Sequence, residues 1–202
     1  MRNIAAAALA LAFALVPVPQ AGASEEGPRA EVNLLFYAGV RSLDAEFWSP
    51  LEIQGTFGVE IDFTPSQWPV GLMASGMIAG DNRGAVVIAD GIPVSADFEV
   101  TTAELDLGPR RYFHLTSWLD LYLNAGISLS FTTIKASSQW TQTQSSTFSS
   151  VGGFYGGGAA VRLGLITAGM EVRVMSAPEI TVFGEKGKAD YTQVSFTFGW
   201  RF

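Results

Sequence analysis

The sequence predicts an all-β chain in which eight antiparallel strands close into an up-and-down barrel. Three segments alternate apolar with polar or small residues at a period of two, which is typical of β-strands: residues 51–63, 118–133 and 194–202. No stretch after residue 30 has a convincing helical period. The connections alternate between short and long, as in a barrel with short turns at one end and long loops at the other.

The first 23 residues have the pattern of a signal peptide for export. Arg2 provides a positive start, residues 4–16 form an apolar run of 13, and Ala21-Gly22-Ala23 fits a cleavage site of the A-x-A type. The alternative is a membrane-spanning helix, which needs about 20 apolar residues. We therefore expect cleavage after this site, a short lead-in over residues 24–30 and a barrel domain over residues 31–202.

Five further segments complete the predicted set of eight strands: residues 32–40, 70–80, 101–107, 155–165 and 168–174. The short or intermediate connections are then 64–69, 108–117 and 166–167, and the long ones are 41–50, 81–98, 135–150 and 176–190. Asp90-Gly91 predicts the tight turn of a small hairpin within the second long loop. Ten strands are the alternative, but residues 84–89 are fewer than the 9–11 that a membrane strand needs.

The polarity of the outward face distinguishes a membrane barrel from a soluble carrier barrel, which has its apolar face inside. Here one face of nearly every strand carries Phe, Leu or Trp, and the other carries Gly, Ser, Thr and a few charges. An eight-stranded barrel has a narrow, side-chain-filled interior, so the large apolar side chains fit only outside, against lipid. A closed barrel also satisfies all backbone polar groups in a bilayer. Leu123 and Ile127 are therefore expected to face lipid, and Tyr122 and Asn124 the interior.

Composition excludes several classes of function. The chain has no cysteine, one histidine and a formal net charge of −7. Disulfides, thiolate metal sites and multi-histidine metal sites are therefore excluded. A chain of this charge would repel the phosphates of nucleic acid. We expect no cofactor and no bound metal.

The C-terminal residues are similar to the assembly signal of Gram-negative outer-membrane proteins, a last strand with alternating aromatic residues and a terminal phenylalanine. The matching residues here are Val194, Phe196, Phe198, Trp200 and Phe202. Residues 105–113 and the glycine-rich residues 153–159 resemble a strand end and a strand start that are common in small barrels of this kind. Over residues 31–202 the chain thus resembles the OmpA/OmpX-type superfamily of eight-stranded outer-membrane barrels.

This resemblance implies a Gram-negative outer-membrane location, with both termini, the lead-in and the short turns in the periplasm. It also implies contact with outer-membrane lipids and lipopolysaccharide. During biogenesis it implies periplasmic chaperones and the barrel-assembly machinery as partners.

Nine charged residues fall on the inward faces near the short turns. They are Glu60, Asp62, Glu104, Asp106, Asp120, Arg162, Glu171, Arg173 and Arg201. Because buried charge requires a partner, we expect the three arginines to pair with the six acids. The excess acids would share a cation, bind water or be protonated. A structural plug of ion pairs is the favoured interpretation, since eight strands leave little room for a channel, and an ion path or gate is the alternative.

Little in the sequence points to catalysis. His114 and Ser117 resemble the His/Ser pair of outer-membrane lipid A deacylases, but His114 falls in a short connection and the spacing departs from His-x-Ser. Residues 135–150, rich in Ser, Thr and Gln, predict a solvated loop or a protruding strand pair, and the alternative is a surface for adhesion or partner binding by strand addition. The sequence favours a non-enzymatic structural or surface-interaction barrel with a plugged lumen. The alternatives are a narrow pore or carrier for small apolar molecules and a lipid A-modifying enzyme.

Overall fold

A computed structural model of the chain describes residues 30–202 except 67, 90–91, 139–142 and 183. The predicted signal peptide and residues 24–29 of the predicted lead-in lie outside the described residues. No helix among the described residues is long and apolar enough to cross a membrane.

Eight antiparallel strands form a closed barrel, as the alternation in the sequence predicts. In chain order the strands are β1 (Glu31–Leu43), β2 (Ile53–Thr64), β3 (Gly71–Ala89), β4 (Ile92–His114), β5 (Leu119–Ser138), β6 (Gln144–Leu163), β7 (Ile166–Ser176) and β10 (Tyr191–Arg201). Consecutive barrel strands are neighbours and β10 pairs with β1 to close the wall. A one-turn helix α1 (Ala45–Trp48) follows β1, and strands β8 (Glu179–Val182) and β9 (Glu185–Lys188) form a separate hairpin before β10.

The four strands β3 to β6 are longer than predicted. Pairing between β3 and β4 continues to Ala89 opposite Ile92, and pairing between β5 and β6 continues to Ala136 opposite Gln144. Residues 81–89 and 92–98 are therefore continuous with β3 and β4 and do not form a separate hairpin within a loop, and the predicted turn Asp90-Gly91 lies outside the described residues. Much of the predicted loops 81–98 and 135–150 is strand, because these residues pair with residues of a neighbouring strand.

Two of the predicted short or intermediate connections are also wrong in position. Residues 108–114 belong to β4 and not to a connection, since Arg110 to His114 pair with β5. The turn after β6 lies at Gly164-Leu165 rather than at 166–167. Gly164 has φ of 68°, a left-handed conformation that glycine adopts without strain, and this fixes the turn there.

The two faces of each strand differ as a membrane barrel requires. On β5, Leu123 and Ile127 are 38% and 63% exposed on the outer face, whereas Tyr122 and Asn124 are 2% and 3% exposed inside. On β10 the outward residues Val194, Phe196, Phe198 and Trp200 are all exposed, as is Phe202 just beyond the strand. The backbone of Phe202 exchanges two hydrogen bonds with Val32, of 3.1 and 2.8 Å, and so extends the closure between β10 and β1.

Along β4 the polarity of both faces inverts near Thr101 and Thr102. On the C-terminal side of this point the outward residues of β4 are apolar and the inward ones are charged, as with Leu105 and Glu104. On its N-terminal side, which we call the upper side, Glu99 is outward and Val100 is inward. The outer face of β5 becomes polar at the same level, where Thr133 hydrogen-bonds Thr147 of β6. We take this level as the upper boundary of the lipid-facing band.

Four strands continue above this boundary and form what we call the protruding sheet: residues 81–89, 92–100, 134–138 and 144–150. The barrel end that carries this sheet, α1 and the β8–β9 hairpin is termed the long-loop end. The opposite end, with the turns at 65–70, 115–118 and 164–165, is termed the short-turn end.

The loss of stability caused by an arginine substitution on the outer face should be larger in the lipid-facing band than in the region above it. We expect Ile127→Arg to lower the free energy of unfolding by about 2–4 kcal/mol, because the cation would lie in the apolar band, and Thr133→Arg by about 0–1 kcal/mol. Reversible denaturant titration of the protein in liposomes measures both. Equal effects of the two substitutions would show that the band is wrongly placed.

Candidate functional site

The barrel interior is polar and is organised around two buried arginines. Arg110 of β4 is 1% exposed and extends its guanidinium among three carboxylates of other strands. Its Nη1 donates to Asp62 Oδ2 at 2.9 Å, and its Nη2 donates to Glu60 Oε2 and Glu171 Oε2, both at 2.9 Å. One guanidinium therefore ties β2 and β7 together across the lumen.

Arg173 of β7 is the second centre of this cluster. Its Nε donates to Glu171 Oε1 at 2.9 Å and its Nη2 to Glu60 Oε2 at 3.3 Å, and its Nη1 binds Asp106. Ser75 also donates to Asp106 at 2.9 Å. Because Glu60 and Glu171 each bind both arginines, the six residues form one unit, the central ion cluster: Glu60, Asp62, Asp106, Arg110, Glu171 and Arg173.

Aromatic rings enclose the central ion cluster. The guanidinium of Arg110 lies 4.4 Å from the ring centre of Tyr122, and that of Arg173 lies 5.0 Å from the ring centre of Phe154. Inward-facing glycines make room for such rings: a Cβ on Gly158 would lie 2.6 Å from Tyr122. The rings contribute cation–π attraction and fill space that water would otherwise occupy.

A second ion pair lies between the central ion cluster and the long-loop end. Arg41 of β1 donates to Gln54 Oε1 at 2.8 Å and lies 3.5 Å from Glu104 Oε2. The hydroxyl of Tyr191 donates to Glu104, and the Tyr191 ring lies 5.0 Å from the Arg41 guanidinium. The central ion cluster and this second ion pair together contain three guanidinium groups and five carboxyl groups.

The nine charged residues predicted to share one network lie in four separate places in the structure. Five of them lie in the central ion cluster and Glu104 pairs with Arg41. Asp120 and Arg162 bind each other at the short-turn end. The prediction for Arg201 is wrong: it pairs with Glu31 at 2.6 Å and not with any of the six acids, because it ends β10 beside the start of β1 at the barrel rim.

The sequence analysis missed two arginines of these interior ion pairs, Arg41 and Arg110. Both fell in predicted connections, 41–50 and 108–117. The alternation of inward and outward positions along the strands was the available signal. Arg41 continues the inward positions of Tyr37 and Gly39, and Arg110 continues those of Glu104 and Asp106. The pair Gly108-Pro109 argued against a strand through Arg110, since proline cannot donate to a strand ladder and is unusual inside a strand.

An apolar cap covers the interior at the long-loop end. Trp48 of α1 is buried, donates from Nε1 to the backbone oxygen of Lys188 at 2.7 Å and packs against Phe148 on the inner face of the protruding sheet. The buried members of this cap are Leu43, Trp48, Leu51, Val100, Ile134 and Ile180. A small pocket is lined by Leu43 and Trp48 of the cap and by Arg41, Glu104 and Tyr191, so the cap lies next to the second ion pair.

His114 lies beside the Asp120–Arg162 ion pair at the short-turn end. Its Nδ1 lies 2.7 Å from Asp120 Oδ1 and contacts Arg162, while Ser117 lies in the following turn at the short-turn end. Within the part of the chain that the structure describes, no group of three or more His, Asp or Glu side chains is arranged to hold a metal ion.

Comparisons with known proteins point to one class of barrel. A family model described as an outer membrane protein beta-barrel domain matches residues 5–202. No curated protein sequence matches the chain.

Solved structures with the same fold share little sequence with the chain. A major outer membrane protein of Thermus thermophilus superposes with a TM-score of 0.58 at 12% identity, covering 86% of this chain and 99% of that one. Ail of Yersinia pestis gives 0.56 at 16% identity, covering 86% and 99%. The N-terminal barrel domain of Pseudomonas aeruginosa OprF gives 0.53 at 13% identity, covering 88% and 100%.

Removing a central guanidinium should destabilise the barrel far more than removing a rim guanidinium. We expect Arg110→Met to cost about 3–5 kcal/mol, because it leaves three buried carboxyl groups without their shared partner. Arg201→Met should cost about 0–1 kcal/mol, since its pair with Glu31 is partly exposed. Denaturant titration in liposomes compares them, and similar losses would contradict the central role of Arg110.

Proposed function

Because the chain belongs to the family of outer membrane protein beta-barrel domains, we propose that it is a non-enzymatic barrel of the Gram-negative outer membrane. In this proposal the lumen is closed, and the protein acts through the protruding sheet that it displays at the long-loop end. The observation that carries the proposal is the filling of the interior by two successive layers, the central ion cluster and the apolar cap.

The two layers oppose passage by different physical means. A solute crossing the central ion cluster would have to displace carboxyl groups bound to Arg110 or Arg173, and separating such buried pairs is costly. A charged or polar solute that reached the mouth would then meet buried Trp48, Val100 and Ile134, which offer it no hydrogen bonds. A closed lumen leaves the outer surfaces as the functional part of the molecule.

Strand lengths support an outward-facing long-loop end. β4 has 23 residues, whereas a membrane strand needs about 9–11, so more than half of it lies outside the hydrocarbon region. Exposed Trp68 and Trp118 lie at the short-turn end, where aromatic residues anchor barrels at the membrane surface. Long loops at the cell surface and short turns in the periplasm are the usual arrangement in such barrels.

Labelling of single cysteines in intact cells tests the orientation directly, since the chain has no cysteine of its own. Ser145→Cys, in the protruding sheet, should react with a membrane-impermeant maleimide. Ser66→Cys, exposed in a short turn, should react only after the outer membrane is permeabilised. The opposite pattern would overturn the proposed surface role.

Planar-bilayer recording tests the closed lumen. We expect no stable unitary conductance from the wild type, nor from Arg173→Ala or Trp48→Ala alone, because each single change leaves the other layer in place. The double variant Arg173→Ala/Trp48→Ala should conduct, provided that its heat-modifiable band shows a folded barrel. Stable conductance of the wild type would overturn the proposal and favour a narrow pore.

A further inference from the structure

An open pocket lies inside the barrel rim at the short-turn end, on the opposite side of the central ion cluster from the apolar cap. We call it the short-turn pocket, and its lining includes Glu31 of β1, Thr64 of β2, Trp68 of the following turn, Gly71 of β3, and Tyr112 and His114 of β4. It contains about 320 Å³ of space, including its opening to solvent. Gly71 leaves room here, because a Cβ at this position would lie 2.3 Å from Thr64 Oγ1.

Glu31 provides a carboxylate at the edge of the short-turn pocket. Its Oε2 lies 2.6 Å from Arg201 Nη2, and its Oε1 accepts a hydrogen bond of 3.1 Å from Asn33. Each carboxylate oxygen has two lone pairs, so both oxygens of Glu31 can accept a further hydrogen bond. The side chain is 22% exposed and is therefore accessible to a ligand that enters the pocket.

His114 provides a second acceptor on the other side of the short-turn pocket. Its Nδ1 lies 2.7 Å from Asp120 Oδ1. When Nδ1–H donates to this carboxylate, the other ring nitrogen, Nε2, is an acceptor. Nε2 has no hydrogen-bond partner among the residues that the structure describes, and the side chain is 39% exposed.

Two aromatic rings complete the recognition surface. The Trp68 side chain is 57% exposed. The hydroxyl of Tyr112 already donates to Asp62 Oδ2 at 2.5 Å, so Tyr112 offers the pocket its ring and not its proton. The faces of both rings attract cations. Among the described lining residues none is Lys or Arg, so the short-turn pocket combines acceptors and aromatic faces without a cationic donor.

The charges beneath the short-turn pocket also favour a cation. The central ion cluster has four carboxyl groups and two guanidinium groups, which gives a net charge of 2 − 4 = −2 when all are ionised. The two ion pairs at the rim contribute equal charges of both signs. Asp62, which Tyr112 connects to the pocket, has a buried Oδ1 without a hydrogen-bond partner among the described residues. The resulting negative potential attracts cations and repels anions.

We propose that the short-turn pocket binds a primary ammonium group. Such a group carries three N–H donors and no acceptor, which matches Glu31 and His114 Nε2, and its charge suits the face of Trp68. The ammonium group can belong to a small soluble amine or to the ethanolamine headgroup of a phospholipid, since exposed tryptophans of membrane proteins lie at headgroup level. This ligand site is additional to the proposed function and requires neither the proposed orientation nor the closed lumen.

Fluorine NMR of the full barrel, labelled with 5-fluorotryptophan, tests the proposal. The protein is placed in nanodiscs of phosphatidylcholine and phosphatidylglycerol, which carry no primary amine, and the Trp68 signal is assigned with Trp68→Phe. Ethanolamine should shift this signal in a saturable manner. Tetramethylammonium has the same charge but no N–H donor, so its dissociation constant should be at least about tenfold higher.

Two substitutions in one ion pair should change the affinity for ethanolamine in opposite directions. Glu31→Gln removes the carboxylate and should weaken binding at least about tenfold. Arg201→Gln removes the cation that competes for Glu31 and should strengthen binding about two- to fivefold, the range of a partly exposed ion pair. The matched control Glu99→Gln, which removes an exposed carboxylate of the protruding sheet, should leave the affinity unchanged.

A second lipid composition identifies the source of the ammonium group. If the lipid headgroup occupies the short-turn pocket, replacing phosphatidylcholine with phosphatidylethanolamine should raise the apparent dissociation constant of ethanolamine. An unchanged constant would assign the pocket to a soluble amine.

Two outcomes would overturn the inference: equal affinity for ethanolamine and tetramethylammonium, or weaker binding in Arg201→Gln, a variant that is expected to fold. Neither outcome bears on the cysteine labelling or the bilayer recording, so failure here is distinguishable from failure of the proposed function.

Discussion

The whole structure depends on the neutralisation of buried arginines by carboxyl groups inside a narrow barrel. A barrel that exposes apolar side chains to lipid must turn its polar residues inward, where eight strands leave no room for bulk water. Arg110 and Arg173 resolve this by sharing Glu60 and Glu171, so each charge has more than one partner. The same contacts link β2, β4 and β7, which lie on different sides of the barrel.

Space inside the barrel is divided between these ion pairs and aromatic rings. Tyr37 and Tyr122 reach across glycine positions on neighbouring strands: a Cβ on Gly58 would lie 2.4 Å from the Tyr37 ring, and one on Gly158 would meet Tyr122. The rings thereby reach the arginines and limit the freedom of the guanidinium groups. Gly58 and Gly158 are thus packing requirements of a lumen filled by long side chains.

Much of the barrel could be predicted from the sequence, because a period of two reports directly on the two faces of a strand. It identified the eight strands, the lipid-facing side of β5 and the inward position of Glu60, Glu171 and Arg173. It could not show which charges meet across the lumen, since partners such as Arg110 and Glu171 are 61 residues apart. Nor could it predict that Arg201 pairs with Glu31, because this pair forms only when β10 closes against β1.

The protruding sheet was predicted only in part, for a more specific physical reason. A strand that leaves the bilayer keeps its period of two but exchanges its polar and apolar faces, since lipid outside is replaced by water and the polar lumen by the apolar cap. On β4 the inward residues change from Asp106 and Glu104 to Val100 and Phe98. Across Thr101 and Thr102 the alternation is therefore interrupted, and the sequence resembles a loop. Read as an inversion, the same interruption locates the membrane surface on β4. It also shows why the sheet above it, no longer required to close, ends in an open edge.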